Sequence, residues 1–244
     1  MKNEHEKQMS ESFKLGALLA IVGGFLDVYT YICRGQVFSN AQTGNNVLVG
    51  LSLAQSDFEG AFYHFVPVLA FIAGVILTEI IKKRAKPRHS FFHWRQIIIG
   101  AEIIVVFIMS FVPVGVYDVV VNVSISFVCA MQVEAFRKIN GLNMATTMCT
   151  GNLRTGTEHI YKSVVEKDIS KMKTSIQAYG IIIFFIIGAC VGGIFTNIYL
   201  EKATLVASAI LLIVFIAMFK KCDKDILNEL EEYDEIEDDK MEFE

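Results

Sequence analysis

The chain has 244 residues, 53% of them hydrophobic, with only three prolines and a formal net charge of −4. Its mean hydropathy is positive and its apolar residues fall in long blocks, which excludes an ordinary soluble domain and indicates a polytopic membrane protein. The net charge belongs to one end: from Cys222 onward there are twelve acids and two bases, so this stretch carries −10 and the remainder +6.

In chain order, a polar N-terminal arm (1–14) precedes six apolar blocks, at about 15–33, 65–81, 97–114, 117–135, 176–198 and 203–219. Each has roughly the 17–25 residues that a helix needs to cross about 30 Å of hydrocarbon. The first is long and lacks a small-residue cleavage site, so it reads as a span and not as a cleaved signal. Lysine and arginine set the orientation. With the N-terminus inside and six crossings, the arm, the 82–95 loop, the 136–175 loop and the tail place 20 basic residues in the cytoplasm, against Arg34 and Lys202 outside. The acidic tail, 220–244, reads as a solvated cytoplasmic extension, with partner binding as the alternative.

The first block carries Asp27 about two thirds along its length, and Gly16, Ala20 and Gly24 form a small-xxx-small ladder matched by Gly188 and Gly192 in the fifth. Tyr29 and Tyr31 face either the outer interface or a cavity, and Trp94 suits an interfacial anchor. After the first block comes Asn40-Ala-Gln-Thr-Gly-Asn45. The segment Thr147-Met-Cys-Thr-Gly-Asn152 repeats it 107 residues later, and the same offset carries Asp27 onto Glu134. The chain is therefore expected to be two copies of one unit, about 15–114 and 117–219. With three crossings per copy the second is inverted, and the two Thr-Gly-Asn entries face each other across the midplane.

Each motif leads into a short, moderately apolar piece, 45–54 and 152–165, expected to be a re-entrant or interfacial half-helix with Thr and Asn capping its N-terminus and Gly allowing the turn. Broken helices are tolerated at membrane depth where they line a cavity. Two inward helix N-termini would suit an anionic or carbonyl-bearing solute, with Gln42, Thr43, Gly44, Asn45, Thr150, Gly151 and Asn152 supplying contacts and Arg34 and Arg154 nearby. The alternative is a capped loop without a ligand. A membrane carboxylate costs on the order of 2.5–3.5 kcal/mol, so Asp27 and Glu134 must turn inward, pair or take up a proton. Asp27 is read equally as a coupling group or as a partner of Arg34. Glu134 reads better as a partner of Arg137 or Lys138, three and four residues on, and Glu102 is a weaker inward candidate.

The five cysteines (Cys33, Cys129, Cys149, Cys190, Cys222) show no metal or disulfide spacing and read as packing residues. His89 and His93 lie among basic residues, His159 reads as a loop residue, and no hydrolase, nucleotide or metalloprotease motif occurs. No metal, cofactor or nucleic acid is expected.

The stretches Gly24-Phe-Leu-Asp-Val-Tyr-Thr-Tyr31, Phe38-Ser-Asn-Ala-Gln-Thr-Gly-Asn45 and Met144-Ala-Thr-Thr-Met-Cys-Thr-Gly-Asn-Leu-Arg154 resemble the YoaK family of bacterial multi-pass membrane proteins, over about residues 13–220. The resemblance implies a protein of about six helices in the bacterial cytoplasmic (inner) membrane, and implies no activity or substrate. The residues themselves point to an all-α transporter or channel-like carrier of a small solute, able to form a homo-oligomer, with Asp27 and Glu134 as proton- or ion-coupling groups. A membrane enzyme, or an accessory or regulatory subunit working through the acidic tail, is the alternative.

Overall fold

Ser12 opens the first helix, its hydroxyl accepting the N–H of Leu15 at 3.4 Å. A computed structural model describes residues 12–84, 94–140 and 142–218. The N-terminal arm up to 11, the 85–93 segment with His89 and His93, and the tail from 219 with Cys222 lie outside the described residues. Helices α1 (Phe13–Cys33), α2 (Gln42–Ala54), α3 (Phe58–Arg84), α4 (Trp94–Met109) and α5 (Asp118–Ala135) come first. A two-residue antiparallel ladder follows, β1 (Lys138–Ile139) with β2 (Leu142–Asn143). Then come α6 (Cys149–Glu166), α7 (Ile169–Tyr199), a 3-10 turn (Leu200–Ala203) and a helix over 204–218, called α8 here.

Among the described residues, four helical runs are long and apolar enough to cross a membrane: α1, α3, α5 and the 50-residue run Ile169–Met218. That last run is interrupted at Leu200, whose φ of 49° takes the backbone out of the helix. Beyond the break, Ala203, Ala207, Leu211 and Val214 enter the core shared by α1, α4 and α5. The expected 97–114 block appears as a 16-residue helix among the described residues. The expected fifth block begins earlier in the structure, because Asp168 caps a polar first turn of α7.

The helices differ in what surrounds them. In α1, 72% of the apolar window is buried and in α5 56%, against 17% in α3. Hence α1 and α5 form the centre, while α3 and α7 turn residues such as Phe62, Ile72, Ile76, Ile183, Ile187 and Ile194 outward. Lipid tails are as apolar as these side chains, so the helices need close packing and hydrogen bonds to associate. The glycines supply the first. A Cβ on Gly24 would stand 2.1 Å from the Phe185 carbonyl oxygen, one on Gly188 2.0 Å from that of Ile21, and one on Gly192 2.8 Å from the Phe25 Cα. The ladder read from the sequence is thus the α1–α7 seam. Across the molecule α5 packs along α3, where Gly74 meets the Phe127 carbonyl in the same way; α2 lies on α3 and α6 on α7.

The 136–175 region, expected to be a cytoplasmic loop, contributes to the core. Ile139 of β1 packs against Gly16, and with Met144 it joins Ala20, Ala178 and Ile181 in a second apolar cluster.

Candidate functional site at the meeting of the two motif segments

Asp27 is 3% exposed, on the face of α1 next to that carrying Gly24. After α1 the chain turns through Gly35 (φ 77°) and Gln36 (φ 59°) and runs back along the helix. There the Asn40 N–H donates to Asp27 Oδ1 at 2.6 Å and the Ser39 hydroxyl donates to the same oxygen at 3.0 Å. The Asn40 amide donates to the Gly23 carbonyl at 3.3 Å and to Ser39 Oγ at 3.4 Å. Since Asp27 lies six residues before Cys33, the chain has returned by about 9 Å at 1.5 Å per residue. Then α2 begins.

The segment before α6 arrives at the same place. A Cβ on Gly23 would stand 2.3 Å from Thr147 Cγ2 and 3.7 Å from Asn40 Nδ2, so Gly23 is the point at which the two motif segments close on α1. Thr146, also buried, faces the Gln132 amide of α5 at 3.5 Å. With that amide turned to donate, its nitrogen lies 2.9 and 3.1 Å from the two oxygens of Glu102 on α4. Cys129 on α5 lies within electrostatic reach of both Asp27 and Glu102. A polar centre therefore crosses the core of the protein, built from α1, α4, α5 and both motif segments.

Within each motif the asparagine ties the segment together. Asn45 accepts the Phe38 N–H at 2.9 Å and donates to the Phe38 carbonyl at 2.7 Å and to Gln42 Oε1 at 2.8 Å. Asn152 donates to the Ala145 carbonyl at 2.7 Å, and Phe38 and Ala145 are themselves 107 residues apart. This replaces the expected capping: the residues at the helix N-termini are Ala41 and Met148, neither with a side-chain cap, and Thr43, Gly44, Thr150 and Gly151 already lie within the first helical turns. The turn-permitting role expected of the motif glycines falls to Gly35 instead. Gly44 makes room for the Phe38 ring, 2.7 Å from where its Cβ would be, whereas Gly151 has nothing within 4 Å.

The remaining expected site residues are dispersed. Thr43, Thr150, Gly151 and Arg154 are exposed, and Gln42 is half-buried with its amide donating to the Ser39 carbonyl at 2.9 Å. Arg34 does not reach Asp27. It is fully buried, ion-paired with Asp118 at 2.7 Å, and bonded to the Tyr29 hydroxyl and the carbonyls of Val112 and Pro113. Its length and its position one residue past α1 let it lock the α4–α5 turn instead. Glu134 sits at the end of α5, paired with Arg137 at 3.0 Å and beside Glu79 of α3, so the offset that links it to Asp27 does not bring it to the polar centre. Of the residues found there, Ser39, Thr146 and Gln132 were not singled out from the sequence, and Asn40 and Thr147, which head the two motifs, were given no site role. The repeat held a signal for them, since its offset also maps Ser39 onto Thr146 and Asn40 onto Thr147.

Apolar helices of spanning length wrapped round a polar interior define a helical membrane protein. The model of the family described as "Protein of unknown function (DUF1275)" matches residues 15–217, and the chain belongs to that family. It is similar to the UPF0700 transmembrane protein YoaK of Bacillus subtilis (strain 168), with 27% identity over 191 residues, covering 73% of this chain and 79% of that protein. No solved structure matches the chain.

Proposed function

We propose that the protein is a carrier of a small solute, with its site where the two motif segments meet at Gly23 and Asp27. The observation that carries this reading is the convergence itself: Ser39 and Asn40 of one segment bind the buried acid Asp27, and Thr147 of the other closes on Gly23, one helical turn before it. A buried carboxylate is costly in a membrane protein, and its retention away from any ion pair among the described residues favours a working role. Asp27 would hold the coupling proton or ion, and the motif segments would open and close round the solute.

Six crossings in two inverted three-helix units, with both termini cytoplasmic in a bacterial inner membrane, make the frame of this reading. Several features support it. The Asn-to-carbonyl bond recurs at an offset of 107 residues. The first helix of each half packs on the second long helix of the other, α1 on α7 and α5 on α3, and each short helix packs on the long helix that follows it. The basic residues divide 20 to 2 between the two sides. Inverted repeats with broken helices meeting near the midplane are a common way to build alternating access.

Uptake into proteoliposomes, screened over neutral, cationic and anionic small solutes, tests the proposal. The wild type should accumulate at least one solute, and Asp27→Asn should abolish accumulation or uncouple it from pH and ion gradients. Flux unchanged by Asp27→Asn at every pH would remove Asp27 from the mechanism.

A further inference from the structure

Round Asp27 and Asn40 the hydrogen-bond inventory leans to acceptors, the Cys129 thiol beside Ser39 and Asn40 being a weak donor. The side-chain protons of Ser39 and Asn40 are already donated, from the Ser39 hydroxyl to Asp27 and from the Asn40 amide to Gly23 and Ser39. The buried oxygens left without a hydrogen-bond partner there are Asp27 Oδ2 and Asn40 Oδ1, and both are acceptors. They belong to residues held together by the 2.6 Å bond from the Asn40 N–H to the other Asp27 oxygen. Among the described residues Asp27 and Glu102 make no ion pair; the cations expected nearby are Arg34, committed to Asp118, and Arg154, exposed on α6. A buried acceptor without a donor is costly, and a buried carboxylate without a counter-charge more so.

An anionic or carbonyl-bearing solute, which the sequence suggested, would bring acceptors to two bare oxygens, one of them a carboxylate's. A positively charged one would satisfy both. No cluster of three or more His, Cys, Asp and Glu side chains suited to a metal occurs among the described residues, and the Glu102 carboxylate already has the Gln132 amide. One carboxylate, one amide carbonyl and neighbouring hydroxyls suit a singly charged ion better than a divalent one, which gathers more carboxylates. We propose that the polar centre binds a monovalent cation, an alkali metal ion or an ammonium group, through Asp27 and Asn40. The inference rests on the carrier reading and gives its solute or coupling ion a sign.

The test is thermal stability of the full chain, purified in detergent, at fixed pH and ionic strength. Sodium, potassium, ammonium and methylammonium chlorides are titrated against N-methylglucamine chloride, and sodium acetate and phosphate form an anion arm. The expected result is a saturable rise in Tm with at least one of the small cations whatever the anion, the responding cation telling metal ion from ammonium. Half-saturation should rise about tenfold or more in Asp27→Asn and in Asn40→Ala, the loss expected when a ligand to a charged group is removed. Asn40→Ala keeps the backbone bond to Asp27, so it decides alone if Asp27→Asn fails to fold. Three outcomes overturn the proposal: no difference from N-methylglucamine, the same half-saturation in both variants, or a response that follows the anion. Uptake of a neutral or anionic solute without cation dependence would keep the carrier reading and sink this one, whereas cation binding without any flux would do the reverse.

Discussion

Asn45 and Asn152 make the same bond in different company. Replacing Asn152 with Ala strands one backbone carbonyl, that of Ala145, and an unsatisfied buried group costs about 1–3 kcal/mol. Asn45→Ala strands both the N–H and the carbonyl of Phe38 and releases Gln42, so its loss in thermal stability should be the larger of the two. Equal losses would mean that the Phe38 bonds are weaker than their geometry implies. Arg34 is more demanding still. Arg34→Leu would leave Asp118 without its partner, and breaking a buried pair costs about 3–5 kcal/mol. The double variant Arg34→Leu with Asp118→Leu should recover part of that loss in a double-mutant cycle, since no lone charge remains.

Helix contacts set a different kind of constraint. Gly188→Ala should loosen the α1–α7 seam, because the new methyl meets backbone at 2.0 Å and backbone cannot rotate aside. Gly151→Ala has open space, and removing a helical glycine should raise stability by about 0.5–1 kcal/mol. Thermal unfolding of the two variants should therefore shift in opposite directions. The start of α7 responds to pH. The Ser170 hydroxyl and backbone N–H hold the Asp168 carboxyl below its ordinary value of 3.8. A depressed folded value means that the cap contributes fully above the unfolded value and is lost as pH falls through the folded one. Hydrogen exchange over 169–175 should quicken below about pH 4, near the usual aspartate value, and Asp168→Asn should remove that pH dependence.

For the whole molecule, orientation is the property most open to a direct check. In a background without native cysteines, Lys202→Cys should react with a membrane-impermeant maleimide from outside, and Lys138→Cys only after permeabilisation; the reverse pattern would invert the topology. Much of the frame was legible along the chain. Block length and charge located α1, α3, α5 and α7, because hydrocarbon thickness and the basic bias act on sequence directly. The small-residue ladder located the α1–α7 seam. The polar centre was half legible: Asp27 stood out as a lone acid in an apolar block, whereas Gln132, Thr146 and Ser39 looked like ordinary residues of a helix and two loops. The sequence by itself determined a helical membrane chain with a repeated motif and one buried acid in its first span, since those follow from local composition and spacing. Local spacing also pointed to the Glu134–Arg137 pair, whereas only the tertiary structure decided that Arg34 serves Asp118, that Ser39 and Asn40 bind Asp27, and that the second motif segment closes on α1 at Gly23. The partners of Arg34 and Gly23 come from elements 80 or more residues away packing against α1, and no local spacing encodes that.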